Sequence, residues 1–165
     1  MKNKMADLTE LKAELARARS DKNGEKTKTI VMAGGCFDIF HIGHLDYLQT
    51  ARGMGDILVV AVNSDASVRR IKSRPPVFGA GQRAGIVAAL EVVDYVFIFG
   101  EDDCCEAIRA IRPDYFVKGW DYKDKTFPEM AAAREIGCEI KIAGEDKKAS
   151  SSRLRSILRN ERGFL

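Results

Sequence analysis

Residues 28–48 read KTIVMAGGCFDIFHIGHLDYL. Ile30 to Ala33 form a short β-branched and apolar run that stops at the paired glycines Gly34 and Gly35, the pattern of a buried strand emptying into a loop. From Gly43 the spacing becomes helical through Leu45, Leu48 and Ala51, and it ends at Gly53 and Gly55. Both histidines of the chain, His41 and His44, sit where this loop opens into the helix. Free backbone N–H groups and the helix dipole favour a bound anion at such a place.

The same alternation extends in both directions. DILVVAVNSD (56–65), DYVFIFG (94–100), DYFVKGWD (114–121) and CEIKIAG (138–144) read as strands, the third running into a loop. AGQRAGIVAALEVV (80–93), DDCCEAIRAIR (102–112), FPEMAAAREIG (127–137) and SSSRLRSILRNE (150–161) read as helices. Upstream, Leu8, Leu11 and Leu15 share one helical face, with Asp7 and Glu10 spaced like a capping box; this helix is expected to end near Asn23-Gly24. Alternating strands and helices imply a parallel sheet covered on both faces. Ligands of such sheets sit beyond the carboxyl ends of the strands. The loops at 34–44, 63–65, 99–102 and 118–122 are therefore the expected site.

Composition narrows the class. The chain has 165 residues, 45% hydrophobic and 31% charged, which suits one domain with a sizeable core. No apolar run approaches the roughly 20 residues that span a bilayer, and the start MKNKMADLTELKAEL is amphipathic rather than leader-like. A cytoplasmic protein with reduced thiols at Cys36, Cys104, Cys105 and Cys138 is expected, with Cys104-Cys105 simply entering a helix. The net charge of +3 suits phosphate-bearing small molecules. Basic stretches without interleaved aromatics argue against nucleic acid.

Three roles compete for the histidine pair. Zinc would need further ligands, for which the chain offers no third histidine and no well-spaced Cys or Glu set. Rings merely satisfied by neighbouring backbone are a second possibility. The third is a phosphate cradle, in which imidazole donors join the helix N-terminus and stabilise charge in a transition state.

The stretch Gly35-Cys36-Phe37-Asp38-Ile39-Phe40-His41-Ile42-Gly43-His44 resembles the G-x-F-D-x-x-H-x-G-H motif of the cytidylyltransferase-like nucleotidyltransferase superfamily. ASSSRLR (149–155) is similar to that superfamily's C-terminal Ser/Thr-rich motif. GDILVVAVNSDASVRRIKSRPPV, QRAGIVAALEVVDYVFIFGEDD and RPDYFVKGWDY resemble, in order, bacterial heptose-1-phosphate adenylyltransferases, and the similarity spans roughly residues 7–160. That group usually reads K-G-G-D-Y where this chain has Lys118-Gly119-Trp120-Asp121-Tyr122. Glycerol-3-phosphate cytidylyltransferases share the first motif, the PPV and QR elements and the C-terminal motif, and match the middle of the chain less well.

The resemblance implies a Rossmann-like three-layer α/β/α sandwich with a central parallel sheet and an added N-terminal helix. Residues 1–26 would be helix and linker, and 27–165 the nucleotidyltransferase domain. It implies transfer of a nucleoside monophosphate from ATP or CTP to a phosphorylated acceptor, with Mg²⁺ bound through substrate phosphates. The acceptor best matched is heptose 1-phosphate; glycerol 3-phosphate, FMN, nicotinamide mononucleotide and phosphopantetheine stay open, as does a nucleotide-binding sensor without turnover. His41, His44 and Lys72 would be catalytic. Gly35, Cys36, Phe37, Asp38, Gly43, Arg83, Lys118, Gly119, Asp121, Ser150, Ser151, Ser152 and Arg155 would bind the nucleotide. Asp38 is read as ordering its loop rather than acting as a base, and Asp65 as touching the acceptor or capping the next helix. A homodimer or larger homo-oligomer is implied; the amphipathic first helix is, by its own spacing, a possible interface.

Overall fold

The computed structural model describes residues 4–19, 25 and 28–144. The predicted closing helix and the candidates Ser150, Ser151, Ser152 and Arg155 lie outside them.

Five strands, β1 (Ile30–Gly35), β2 (Ile57–Asn63), β3 (Tyr95–Phe99), β4 (Tyr115–Gly119) and β5 (Glu139–Ala143), form one sheet in the order β3-β2-β1-β4-β5. Every pairing is parallel; Val31 lies opposite Leu58 on one side and Tyr115 on the other. Helices α1 (Leu8–Arg19), α2 (Ile42–Arg52), α3 (Asp65–Lys72), α4 (Ala80–Ala88), α5 (Cys105–Ile111) and α6 (Glu129–Ile136) complete the described chain. Strand pleating sorts the core into two layers. Ile30 and Met32 point to one face, where Leu11, Leu15, Ile108 and Ala132 cover them together with Phe97 and Phe116. Val31 and Ala33 point to the other, under Tyr47, Leu48, Ala84 and Val87. The expected Rossmann-like sandwich is the fold observed.

An aspartate precedes each of three strands, and each closes the amino end of a neighbour. The Asp56, Asp94 and Asp114 carboxylates accept from the backbone N–H groups of Thr29, Leu58 and Ile30 at 2.7, 2.8 and 2.8 Å. The amino ends of β1 and β2 are thereby hydrogen-bonded and closed, which leaves the carboxyl ends for ligand. Gly55, in the turn before β2, admits no side chain: a Cβ there would stand 2.6 Å from Val31 Cγ2 and 2.9 Å from the Thr29 carbonyl oxygen.

The first helix starts where its spacing predicts, with Asp7 Oδ1 accepting from the N–H groups of Thr9 and Glu10 at 2.7 and 2.9 Å. Leu11 and Leu15 are buried in the same layer as β1, and Glu14 accepts the Tyr95 hydroxyl hydrogen at 2.6 Å. The apolar face of this helix is thus packed inside the chain. Ahead of it, Lys4 to Ala6 pair with Val96 along the outer edge of β3, which shields an otherwise open strand. Helix α4 is shorter than the 80–93 pattern. Its end tightens into turns from Ala89 to Val93, because β-branched Val92 and Val93 lead straight into the extended β3.

Candidate functional site

In the chain β1 is followed outward by β2 and β3, then the path crosses back to β4, which makes the β1/β4 gap the switch point of the sheet. A cleft of about 360 Å³ opens there, lined by residues from all four predicted loops. Gly35, Cys36, Phe37, Asp38, His41, Gly43 and His44 all line it. So do Lys72, Lys118, Gly119 and Asp121.

The loop after β1 is held in an uncommon conformation. Phe37 and Ile39 have φ of 50° and 48°, left-handed values that are costly for a β-branched residue such as Ile39. Gly34 has no room for a Cβ, which would come within 2.8 Å of Cys104 Sγ. Between the two strained residues Asp38 is buried, and its Oδ1 accepts from the N–H groups of Val77 and Phe78 at 2.9 and 3.3 Å. Its carboxylate fastens the segment after α3 to the loop after β1, an ordering role. At the end of β1, Tyr47 donates to the Val117 carbonyl at 2.6 Å and accepts from Gly34 N–H at 3.3 Å, tying α2 across the switch point.

His41 stands at the N-cap position of α2 and His44 in its first turn, with ring centroids 3.9 Å apart and planes 20° from parallel. The His44 ring also packs against Phe37 and Phe40 at 5.4 and 5.3 Å. Burial lowers the His44 pKa to about 4; nearby His41 pushes it the same way and Asp38 opposes. His44 is therefore neutral near pH 7. Its Nδ1 is buried without a hydrogen-bond partner among the described residues, a group that a polar ligand would satisfy.

This shift has a measurable consequence for stability. Unfolded, His44 takes up its proton near pH 6.5; folded, it resists until about 4. Between those values the unfolded chain holds the extra proton, so stability falls as pH drops through the window, by up to about 3 kcal/mol from this group. In chemical denaturation from pH 7 to 4.5, His44→Gln is expected to lose less stability than the unsubstituted protein. Parallel pH curves for the two would refute the shift.

On the β4 side, buried Lys118 reaches Glu129 Oε1 at 2.8 Å, with its ammonium 4.3 Å above the Tyr122 ring. Trp120 lines the cleft in the following 3₁₀ turn (Trp120–Tyr122), its ring covered by Lys123 at 4.1 Å. On the β2 side stand Lys72 and Arg74. The Cys36 thiol, raised by burial despite nearby Lys72 and Arg83, stays protonated and is no ready nucleophile.

Arg83 requires a correction. Its guanidinium is fully buried and absent from the cleft wall, donating to Phe78 O at 2.9 Å, Asn63 O at 2.7 Å, Asp65 Oδ1 at 2.8 Å and the Cys36 carbonyl. It braces three backbone carbonyls and one carboxylate behind the loop after β1, with no face on the cleft. Asp65 consequently neither caps nor lines the cleft; Ser64 caps α3 by accepting from Ser67 N–H at 3.2 Å. Tyr47, Glu129 and Arg74 are site residues that sequence reading missed. Tyr47 and Glu129 are single polar residues within helices and Arg74 lies in the loop after α3, and only burial or distant partners mark them.

Among the described residues no group of three or more side chains is placed to cage a metal ion. Asp46 and Asp121 line the cleft. One or two carboxylates beside bound phosphates are what Mg²⁺ takes when it arrives on a nucleotide, so the residues fit that mode.

Donors and cations converging at the switch point of a parallel sheet are the equipment of a protein that binds and reacts nucleoside phosphates. Sequence comparison extends this: the cytidylyltransferase-like family model matches residues 32–157, and the chain belongs to that family of nucleotidyltransferases. The bifunctional protein HldE of a Nitratiruptor species is 45% identical over 133 residues, 80% of this chain and 29% of that protein. HldE of Citrifermentans bemidjiense is 50% identical over 108 residues, 65% of this chain and 22% of that one. The chain thus spans less than a third of the length of these curated relatives. The crystal structure of the lipopolysaccharide core biosynthesis protein from Thermoplasma volcanium is 32% identical with a TM-score of 0.60, covering 73% of this chain and 100% of that one. No helix among the described residues is long and apolar enough to cross a membrane.

Proposed function

We propose that the protein transfers AMP from ATP to heptose 1-phosphate and releases pyrophosphate. The observation that carries the transfer chemistry is the stacked pair of His41 and neutral His44 at the start of α2, facing a cleft with Lys72 on one side and Lys118 on the other. The heptose assignment is supported by the similarity to HldE proteins and to a lipopolysaccharide core biosynthesis protein.

An oxygen of the acceptor phosphate attacks the α-phosphorus; the new P–O bond forms as the bond to the β-phosphate bridging oxygen breaks, and pyrophosphate leaves with that electron pair. A phosphate dianion is already a nucleophile, so the protein has to align the reactants and stabilise charge. His41 and His44 donate to the α- and β-phosphates, and Lys72 neutralises the incoming anion. Gly119 and Asp121 lie where the base and ribose enter. Asp46 and Asp121, which line the cleft, would help hold a Mg²⁺ ion arriving on the substrate phosphates, and that ion would supply further neutralisation of the triphosphate.

The test is pyrophosphate release with Mg²⁺, crossing ATP and CTP with heptose 1-phosphate, glycerol 3-phosphate, nicotinamide mononucleotide, phosphopantetheine and FMN. Release with ATP and heptose 1-phosphate above all other pairs is the expected result. A preference for CTP with glycerol 3-phosphate, or silence with heptose 1-phosphate, would overturn the assignment.

A further inference from the structure

We infer that Arg74 is a binding residue for the phosphate group of the acceptor, acting beside Lys72 on the β2 side of the cleft; this rests on the nucleotidyl-transfer reading above. Arg74 lines the cleft, yet its Nη1 is buried with no hydrogen-bond partner among the described residues. That Nη1 is ion-paired with Asp38 Oδ2 at 3.6 Å, a separation too long for a hydrogen bond. Asp38 is meanwhile occupied through Oδ1 by the Val77 and Phe78 N–H groups. A desolvated N–H left open is costly unless a ligand oxygen completes it.

The backbone presents this guanidinium on a braced support. Helix α3 ends at Ser73 in a left-handed turn, φ 53°, which reverses the chain directly before Arg74. Pro75 and Pro76 then restrict the backbone, and the two bonds to Asp38 anchor the far side. Little ordering is left for a ligand to impose.

Topology separates the two anions. The nucleotide belongs at the β1/β4 switch point, next to Lys118 and Asp121. Lys72 and Arg74 follow β2, on the opposite flank of β1. A second phosphate approaching from that flank meets Lys72 as a point charge and Arg74 as a planar fork that can hold two of its oxygens.

Two measurements test this. In steady-state kinetics with the most active acceptor, Arg74→Ala should raise the acceptor KM roughly 10- to 100-fold, the worth of a charge-assisted hydrogen bond, with the ATP KM within about twofold. Arg74→Lys, which keeps the charge but loses the fork, should recover part of that loss. Calorimetric titration of inorganic phosphate into protein saturated with a non-hydrolysable ATP analogue supplies a readout that needs no turnover; Arg74→Ala should weaken it about tenfold. An unchanged acceptor KM and phosphate affinity would overturn the inference, as would an ATP KM rising in parallel. Absence of turnover in the unsubstituted protein, with phosphate binding still dependent on Arg74, would strike the proposed reaction and leave the anion site standing.

Discussion

Replacing His44 with alanine is expected to lower kcat by a factor of roughly 100 or more, the loss that follows removal of one preorganised donor at developing phosphate charge. The ATP KM should move much less, because an interaction strengthened in the transition state appears in kcat. The imidazole also packs against Phe37 and Phe40, so the alanine variant leaves a gap as well as a missing donor. His44→Gln separates the two effects. It restores an N–H donor without the ring, and partial recovery of kcat identifies hydrogen bonding as the role. Turnover of His44→Ala within about threefold of the unsubstituted enzyme would remove His44 from the catalytic set.

Substitution of Arg83 by methionine is expected to cost about 3–5 kcal/mol, because it strips donors from buried carbonyls of Cys36, Asn63 and Phe78 and leaves Asp65 unpaired. For a chain of this length the melting temperature should fall by on the order of 10 °C. Arg83→Lys should not rescue it, since a single ammonium cannot span acceptors that a planar guanidinium reaches in different directions. A nucleotide-contacting arginine would behave differently. There Arg83→Lys would raise the nucleotide KM and leave the melting temperature within about 2 °C. Thermal unfolding of both variants beside their kinetics decides between the roles.

The fold was legible because its signals are local and repeated. A parallel sheet buried on both faces demands continuous apolar strands, and those strands end at glycines or polar residues that also mark the site. An aspartate before β2, β3 and β4 repeats the same amino-end closure, visible in the sequence once its purpose is known. The histidine-bearing loop after β1 was legible for a similar reason. Gly35, Asp38, His41 and His44 lie within ten residues, so their spacing alone brings them together.

Arg83 shows where that legibility stops. An arginine in the QR element reads as a phosphate or base-loop contact until burial is known, and its partners lie 5, 18, 20 and 47 positions away. The first helix is a second case. Its leucine spacing announces an apolar stripe but not what covers it, and the covering surface comes from β1, β3 and α5.

By itself, the sequence determined the order of strands and helices, the end of the sheet that carries the site and the histidine-bearing loop, because each depends on residues a few positions apart. Only the tertiary structure decided which polar groups face the ligand and which brace the frame. Arg74 and Arg83, nine positions apart and alike in chemistry, differ in that one lines the cleft with a buried donor that makes no hydrogen bond among the described residues, while the other has its guanidinium donating to three backbone carbonyls and a carboxylate. That difference arises from contacts across the sheet, where burial and distant acceptors set the cost of leaving a charge unpaired.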